Sequence, residues 1–262
     1  MFNVRTFSYK LGLLMSAPEI DKGDWRLQTT TQLAEDWTSP WSGITSPKGT
    51  RITVVSVIQL TKKKSLTIPI PNATASMLNA SARAFESARA LRVSCGIDKS
   101  LKNAVSFTTE VAALDYIERM IESIVLAYSA IEAFANESIP NDFVYVRHKN
   151  SDVLLEASSK ETIERHVGTD EKLTVVLPEV LGCKSPKGTH CWQNYKQLKN
   201  SRDRIIHMKT EDRKSSGPDV ATIWKAIVLT PAPHFSAKAV IDYFVQRMKN
   251  KPQWHQRFLH AT

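Results

Sequence analysis

The segment from 111 to 134 constrains the fold most. Its apolar residues Val111, Leu114, Ile117, Ile121, Ile124, Tyr128, Ile131 and Phe134 recur at spacings of three and four, while Asp115, Glu118, Arg119 and Glu122 fall between them. At 3.6 residues per turn this spacing sets an apolar stripe against a charged face, and it predicts a long amphipathic helix ending near Pro140. Such a helix cannot bury its stripe alone. A chain of 262 residues that is 42% hydrophobic has the material to cover it.

The expected partners lie downstream. Residues 159–166 read as a helix stopped by Gly168, and 171–181 as another interrupted at Pro178. After a loop holding Gly182, Pro186 and Gly188, residues 189–212 read as a helix with Trp192, Tyr195, Leu198, Ile205 and Met208 as its core positions. The run Lys-Ser-Ser-Gly-Pro at 214–218 ends it, helical stretches follow at 219–229 and 237–248, and a polar tail closes the chain.

Upstream the pattern is different. Residues 51–60, rich in Val, Ile and Thr, read as a strand, the turn Lys62-Lys63-Lys64 follows, and 65–70 read as a second strand that Pro69 confines to an edge. Residues 73–93 carry Ala, Leu and Arg without Gly or Pro, which favours helix. Trp25, Trp37 and Trp41 are expected to serve a core rather than to stack on bases. The fold class is therefore mainly α: an N-terminal α+β portion of unknown role over 1–105, then a helical domain over 106–262.

Thirty-five Lys and Arg against 26 Asp and Glu give a net charge of +9, which favours a polyanionic partner without selecting one. The three cysteines form no disulfide framework. The apolar stretch 11–15 is too short for a signal peptide despite Arg5 and Lys10 nearby, and 124–135 is too short to span a bilayer, so a cytoplasmic protein is expected. Cys183, His190 and Cys191 lack the Cys-x-x-Cys spacing of a zinc site, and Arg147-His148 and Arg165-His166 read as solvent-facing dipeptides. No glycine-rich nucleotide loop occurs.

One segment carries chemistry: Ser201-Arg-Asp-Arg-Ile-Ile-His207, in which Arg202 is followed by a polar residue and, after four intervening positions, by His207. Its context matters more than its spacing. It lies on the 189–212 helix, the partner of the amphipathic helix that carries Tyr128-Ser-Ala-Ile-Glu-Ala-Phe-Ala-Asn136. Together these features resemble the HEPN superfamily over about residues 107–212. The resemblance implies a bundle of four or five helices that pairs as a homodimer, and a metal-independent endoribonuclease of the toxin or phage-defence kind that needs no cofactor. Arg202 would bind the scissile phosphate of RNA and His207 would move the proton of the 2'-hydroxyl or of the leaving oxygen. Asp203, one turn before His207, would orient it. Glu132 and Asn136 would support either residue, and Lys199, Arg204 and Lys209 would contact RNA phosphates.

Two further expectations follow. On a continuous helix, positions five apart are rotated by about 140 degrees, so Arg202 and His207 would need a second subunit to complete the site. An antitoxin or a defence-system protein would suit such an enzyme as a partner. The alternative function is a non-catalytic helical dimer that binds RNA or another protein.

Overall fold

The computed structural model describes residues 23–28, 30–40, 42–146 and 157–258. Arg5, Lys10, the stretch 11–15, Trp41 and the Arg147-His148 dipeptide lie outside them. The chain divides into two compact units. One holds the described residues up to Ala75 together with those from Gln253 onward; the other runs from Ser76 to Pro252. The division falls at Ala75 rather than near residue 105, because the alanine-rich helix buries its small face within the second unit.

In the first unit, strands β1 (Thr30–Gln32), β2 (Trp37–Thr38), β3 (Thr45–Ser46), β4 (Arg51–Thr53), β5 (Val55–Thr61) and β6 (Lys64–Pro69) pair antiparallel. β1 pairs with β4, β2 with β3, and β5 with β6. The β-branched run expected as a single strand is broken only at Val54, whose carbonyl accepts the Ile70 N–H at 2.9 Å. The expected hairpin is present, with Val55 opposite Pro69 and Thr61 opposite Lys64.

The second unit is helical, and its elements begin where side-chain oxygens stand in for missing backbone acceptors. Helix α1 (Ala73–Ser94) starts in the first unit after Asn72, whose Oδ1 accepts from the Ala75 N–H at 2.8 Å. Helix α2 (Glu110–Glu137) starts on Thr109, which accepts from Ala112 at 3.1 Å. β7 (Tyr145–Val146) pairs with β8 (Ala157–Ser158) ahead of α3 (Lys160–His166). A continuous stretch then runs from α4 (Thr169–Glu171) through a π turn (Lys172–Val176) into α5 (Leu177–Leu181). The widened turn absorbs Pro178: Leu177 donates to Lys172 O, one residue further back than in an α-helix, so the proline does not break the run. Gly182 ends it at φ 58, a left-handed conformation that glycine adopts without a steric penalty.

Helix α6 (His190–Ile206) is capped by Thr189, α7 (Ile223–Leu229) by Thr222, and α8 (Pro233–Val245) opens on a proline in its first turn. α2, α6 and α8 pack on one another with α7 against α2 and α6, which makes the protein mainly helical. The Phe134 and Phe244 rings lie 6.3 Å apart in this core. α2 buries Tyr116, Met120, Ile124, Ala127, Tyr128, Ile131 and Phe134, whereas Val111 and Leu114 are exposed. The buried stripe is thus shifted from the expected one over the first two turns.

α1 meets α2 through serines. Ser81 Oγ donates to Ser123 O at 2.8 Å, and Ser123 Oγ donates to Ser81 O at 2.9 Å. Both side chains are fully buried, so backbone approaches backbone with no larger group between them. The chain ends differently from the expected polar tail: Gln253–Phe258 forms helix α9 in the first unit, with Trp254 and Phe258 buried and the Trp25 ring 5.6 Å from Phe258. Ser81→Leu should therefore force α1 off α2 and cost about 1–3 kcal/mol. Urea denaturation should show a lower midpoint with an unchanged slope; an unchanged midpoint would show that the crossing is not tightly packed.

Candidate functional site

The site is built on the face of α6 that meets α2 and α4. Tyr195 and Leu198 point into the core, and the turn-to-turn spacing sets Trp192, Lys196, Lys199 and Arg202 along the border of that buried stripe. Three rings form a ladder beneath the cations. Trp192 stacks on Tyr195 at 4.8 Å between centroids, and Tyr195 stacks on Tyr128 of α2 at 6.2 Å. The Arg202 guanidinium lies over the Tyr128 ring at 4.9 Å, and its Nη1 donates to Asp203 Oδ1 at 3.0 Å. Its remaining donors have no partner among the described residues, and a third of the side chain is open to solvent.

Asp170 of α4 gathers the other cations. It accepts from the Tyr195 hydroxyl, from Lys199 Nζ at 3.0 Å and from Lys196 Nζ at 3.3 Å. Burial pushes its carboxyl up, but the hydrogen bonds from Tyr195 and Lys199 outweigh that and hold it below the ordinary carboxylate value. Burial, reinforced by the adjacent Asp170 carboxylate, drives the Tyr195 phenol far above its usual range. These lysines are 43% and 27% exposed, and ion pairs so open to water contribute about 0–1 kcal/mol. Neither lysine is therefore locked to Asp170.

The sequence-derived roles are only partly brought together here. α6 ends at Ile206, short of the expected 212, and His207 sits at the cap with φ −113 and ψ 56. The angular argument for a second subunit assumed an unbroken helix through His207, and that premise does not hold. The His207 backbone N–H donates to Asp203 O at 2.8 Å, while the Asp203 carboxylate turns to Arg202, so Asp203 fixes the arginine rather than the imidazole. The His207 ring is exposed with no hydrogen-bond partner among the described residues.

Glu132 and Asn136 serve another purpose than supporting Arg202 or His207. Glu132 accepts from Thr169 at 3.3 Å, and Asn136 accepts from the buried Lys172 Nζ at 2.7 Å. Lys172 also donates to Glu164 O at 3.0 Å, and burial lowers its pKa despite the nearby Glu132 and Glu164. Arg204 faces inward: Nη2 reaches Asp212 Oδ1 at 2.9 Å and Ala221 O at 3.0 Å, which leaves it unsuited to contacting RNA. Lys199 pairs with Asp170, and Lys209 is exposed.

Asp170, Lys196 and the role of Tyr128 escaped the sequence reading, and Tyr195 reads there as a core position without its bond to Asp170. The one signal available was the alternation of Trp192, Tyr195, Lys196 and Lys199 along a single helix face. No family model matches the chain, and no curated protein or solved structure is significantly similar to it. Among the described residues no group of three His, Cys, Asp or Glu is placed to hold a metal ion. No described helix is long and apolar enough to cross a membrane.

Asp170→Ala should lower Tm by a few degrees at neutral pH. Its pKa is depressed on folding, so its contribution is complete above the ordinary carboxylate value of about 4 and disappears as pH falls through the lower folded value. The gap in Tm between wild type and variant should narrow as pH falls below about 5. A gap independent of pH would remove the charge from the explanation.

Proposed function

We propose that the protein is a metal-independent endoribonuclease of the HEPN type, acting as a toxin or phage-defence effector. The observation that carries this reading is Arg202. Its guanidinium lies over the Tyr128 ring at 4.9 Å and is tied by Asp203, with a third of the side chain open to solvent near the end of a helix that also carries Lys196 and Lys199. A planar guanidinium fixed in this way suits a phosphate, which takes up two donors at once.

The chemistry requires little else. The RNA 2'-oxygen attacks phosphorus, the bond to the 5'-oxygen breaks, and a 2',3'-cyclic phosphate and a free 5'-hydroxyl result. His207 accepts the 2'-hydroxyl proton or donates one to the departing 5'-oxygen, and Arg202 offsets the charge that develops on the phosphorane. One histidine cannot do both in a single step. A homodimer supplies a second, and Ile206, 53% exposed immediately before His207, is an apolar surface that a second motif segment would cover.

A second reading has its own support. Because the His207 ring lacks an orienting partner, the same face also fits a dimer that binds RNA, or another protein, without cutting it. Arg202→Ala and His207→Ala should each reduce cleavage of RNA by at least about 100-fold and abolish growth toxicity, leaving the circular-dichroism spectrum and the sedimentation coefficient unchanged. If both variants cut as well as wild type in the presence of chelator, the assignment fails. If wild type binds RNA and leaves it intact, the binding reading replaces it.

A further inference from the structure

The distal half of the β5–β6 hairpin is exposed. Val55, Ser56, Thr67 and Ile68 at its base are half-buried, but every residue from 57 to 66 is exposed. Successive residues of a strand point to opposite faces, so both faces of this ribbon are open for five residues of β5, roughly 17 Å. The exposed residues include Val57, Ile58, Leu66 and Leu60, the last half open to solvent. An isolated two-stranded ribbon is marginal in water, and an aliphatic surface left open on it marks an interaction element.

Charge identifies the occupant. Between Asp36 and Glu86 the chain has no acidic residue, while it carries Lys48, Arg51, Lys62, Lys63, Lys64 and Arg83. Lys62 and Lys63 form the turn and Lys64 begins β6, so three ammonium groups crowd the tip of the ribbon. None of the three has an ion-pair partner among the described residues. Exposed and unpaired, they present a cationic tip to an external anion. A second copy of the chain is disfavoured, because its ribbon would bring three more lysines and no carboxylate to the contact. Pro69 and the register shift between Gln59 and Thr61 also spoil the edges that strand-to-strand pairing needs.

We propose that the β5–β6 ribbon is an arm that docks on a double-helical nucleic acid, with Lys62, Lys63 and Lys64 on backbone phosphates and Val57, Ile58, Leu60 and Leu66 against the groove wall. A two-stranded ribbon matches the width of a B-form major groove, and the wide minor groove of an RNA stem admits it as well. The shared chemistry is the paired phosphate backbone. The inference uses neither Arg202 nor His207 and stands whether or not the chain cuts RNA.

The test is fluorescence anisotropy with the full chain carrying His207→Ala, so that cleavage does not confuse binding. The probes are a labelled RNA stem, a DNA duplex of the same sequence and a single-stranded RNA. Changing Lys62, Lys63 and Lys64 together to Ser should weaken stem binding by at least about tenfold and reduce the slope of log affinity against log salt by about 2 to 3, one phosphate per lysine. The same three changed to Arg should bind within about twofold of the parent, since charge is kept. RNA bound in preference to DNA assigns recognition to the 2'-hydroxyls, and equal binding assigns it to the phosphates; both support the arm. An unchanged slope in the Ser variant, or single strands bound as tightly and with the same lysine dependence, overturns it. So does a loss of self-association in the Ser variant with no change in stem binding, which would make the arm a contact between copies.

Discussion

A carboxylate buried in a protein is tolerated only when its oxygens are supplied with donors. Asp212 meets that condition with no exposed side-chain surface. It accepts from Arg204 Nε at 3.3 Å and Nη2 at 2.9 Å, from the Ile223 N–H at 2.8 Å and from the Lys209 N–H at 3.2 Å. Its own carbonyl takes the Trp224 indole N–H at 2.7 Å. Arg204, foremost among these donors, keeps the carboxyl below its ordinary value despite burial. These bonds tie the last turn of α6 to the first turn of α7 and require the chain to double back between them. That requirement ends the helix at Ile206 and puts His207 at a cap, facing water.

The same hub explains what the sequence could not convey. Periodicity continues through Met208, so a local reading carries α6 on to 212; the bonds that stop it join residues 8 to 11 positions apart in the chain. Local signals sufficed where local physics decides. The alanine-rich α1, the long α2 and the β5–β6 hairpin all follow from propensity and spacing. The phase of α2 over its first turns did not, because its apolar pattern is ambiguous until Ser81 fixes Ser123 at the crossing. Trp254 and Phe258 also read as part of a polar tail, since neighbours such as Trp25, which meets the Phe258 ring, lie far away in the chain.

In the candidate site the motif itself was legible and its wiring was not. Arg202 and Asp203 are adjacent in sequence and remain paired in space. Asp170 meets Tyr195 and Lys199 across 25 and 29 positions, and no pattern in a single sequence announces such a meeting. Glu132 and Asn136 illustrate the converse. A polar pair on an apolar helix drew attention as support for catalysis, yet Thr169 and the buried Lys172 account for both.

Under the two proposals, these differences in pairing would divide the work of binding a polyanion. Lys196 and Lys199 already hold Asp170, and Arg202 holds Asp203, so a phosphate arriving at α6 exchanges one partner for another and gains little net Coulomb energy. What those residues offer is direction, because the ring ladder of Trp192, Tyr195 and Tyr128 fixes where the cations stand. Among the described residues Lys62, Lys63 and Lys64 have no ion-pair partner to give up, and in the proposed arm each phosphate they engage would release counterions in full. Under the two proposals, affinity and its salt dependence would reside mainly in the ribbon, and placement of a phosphodiester in α6.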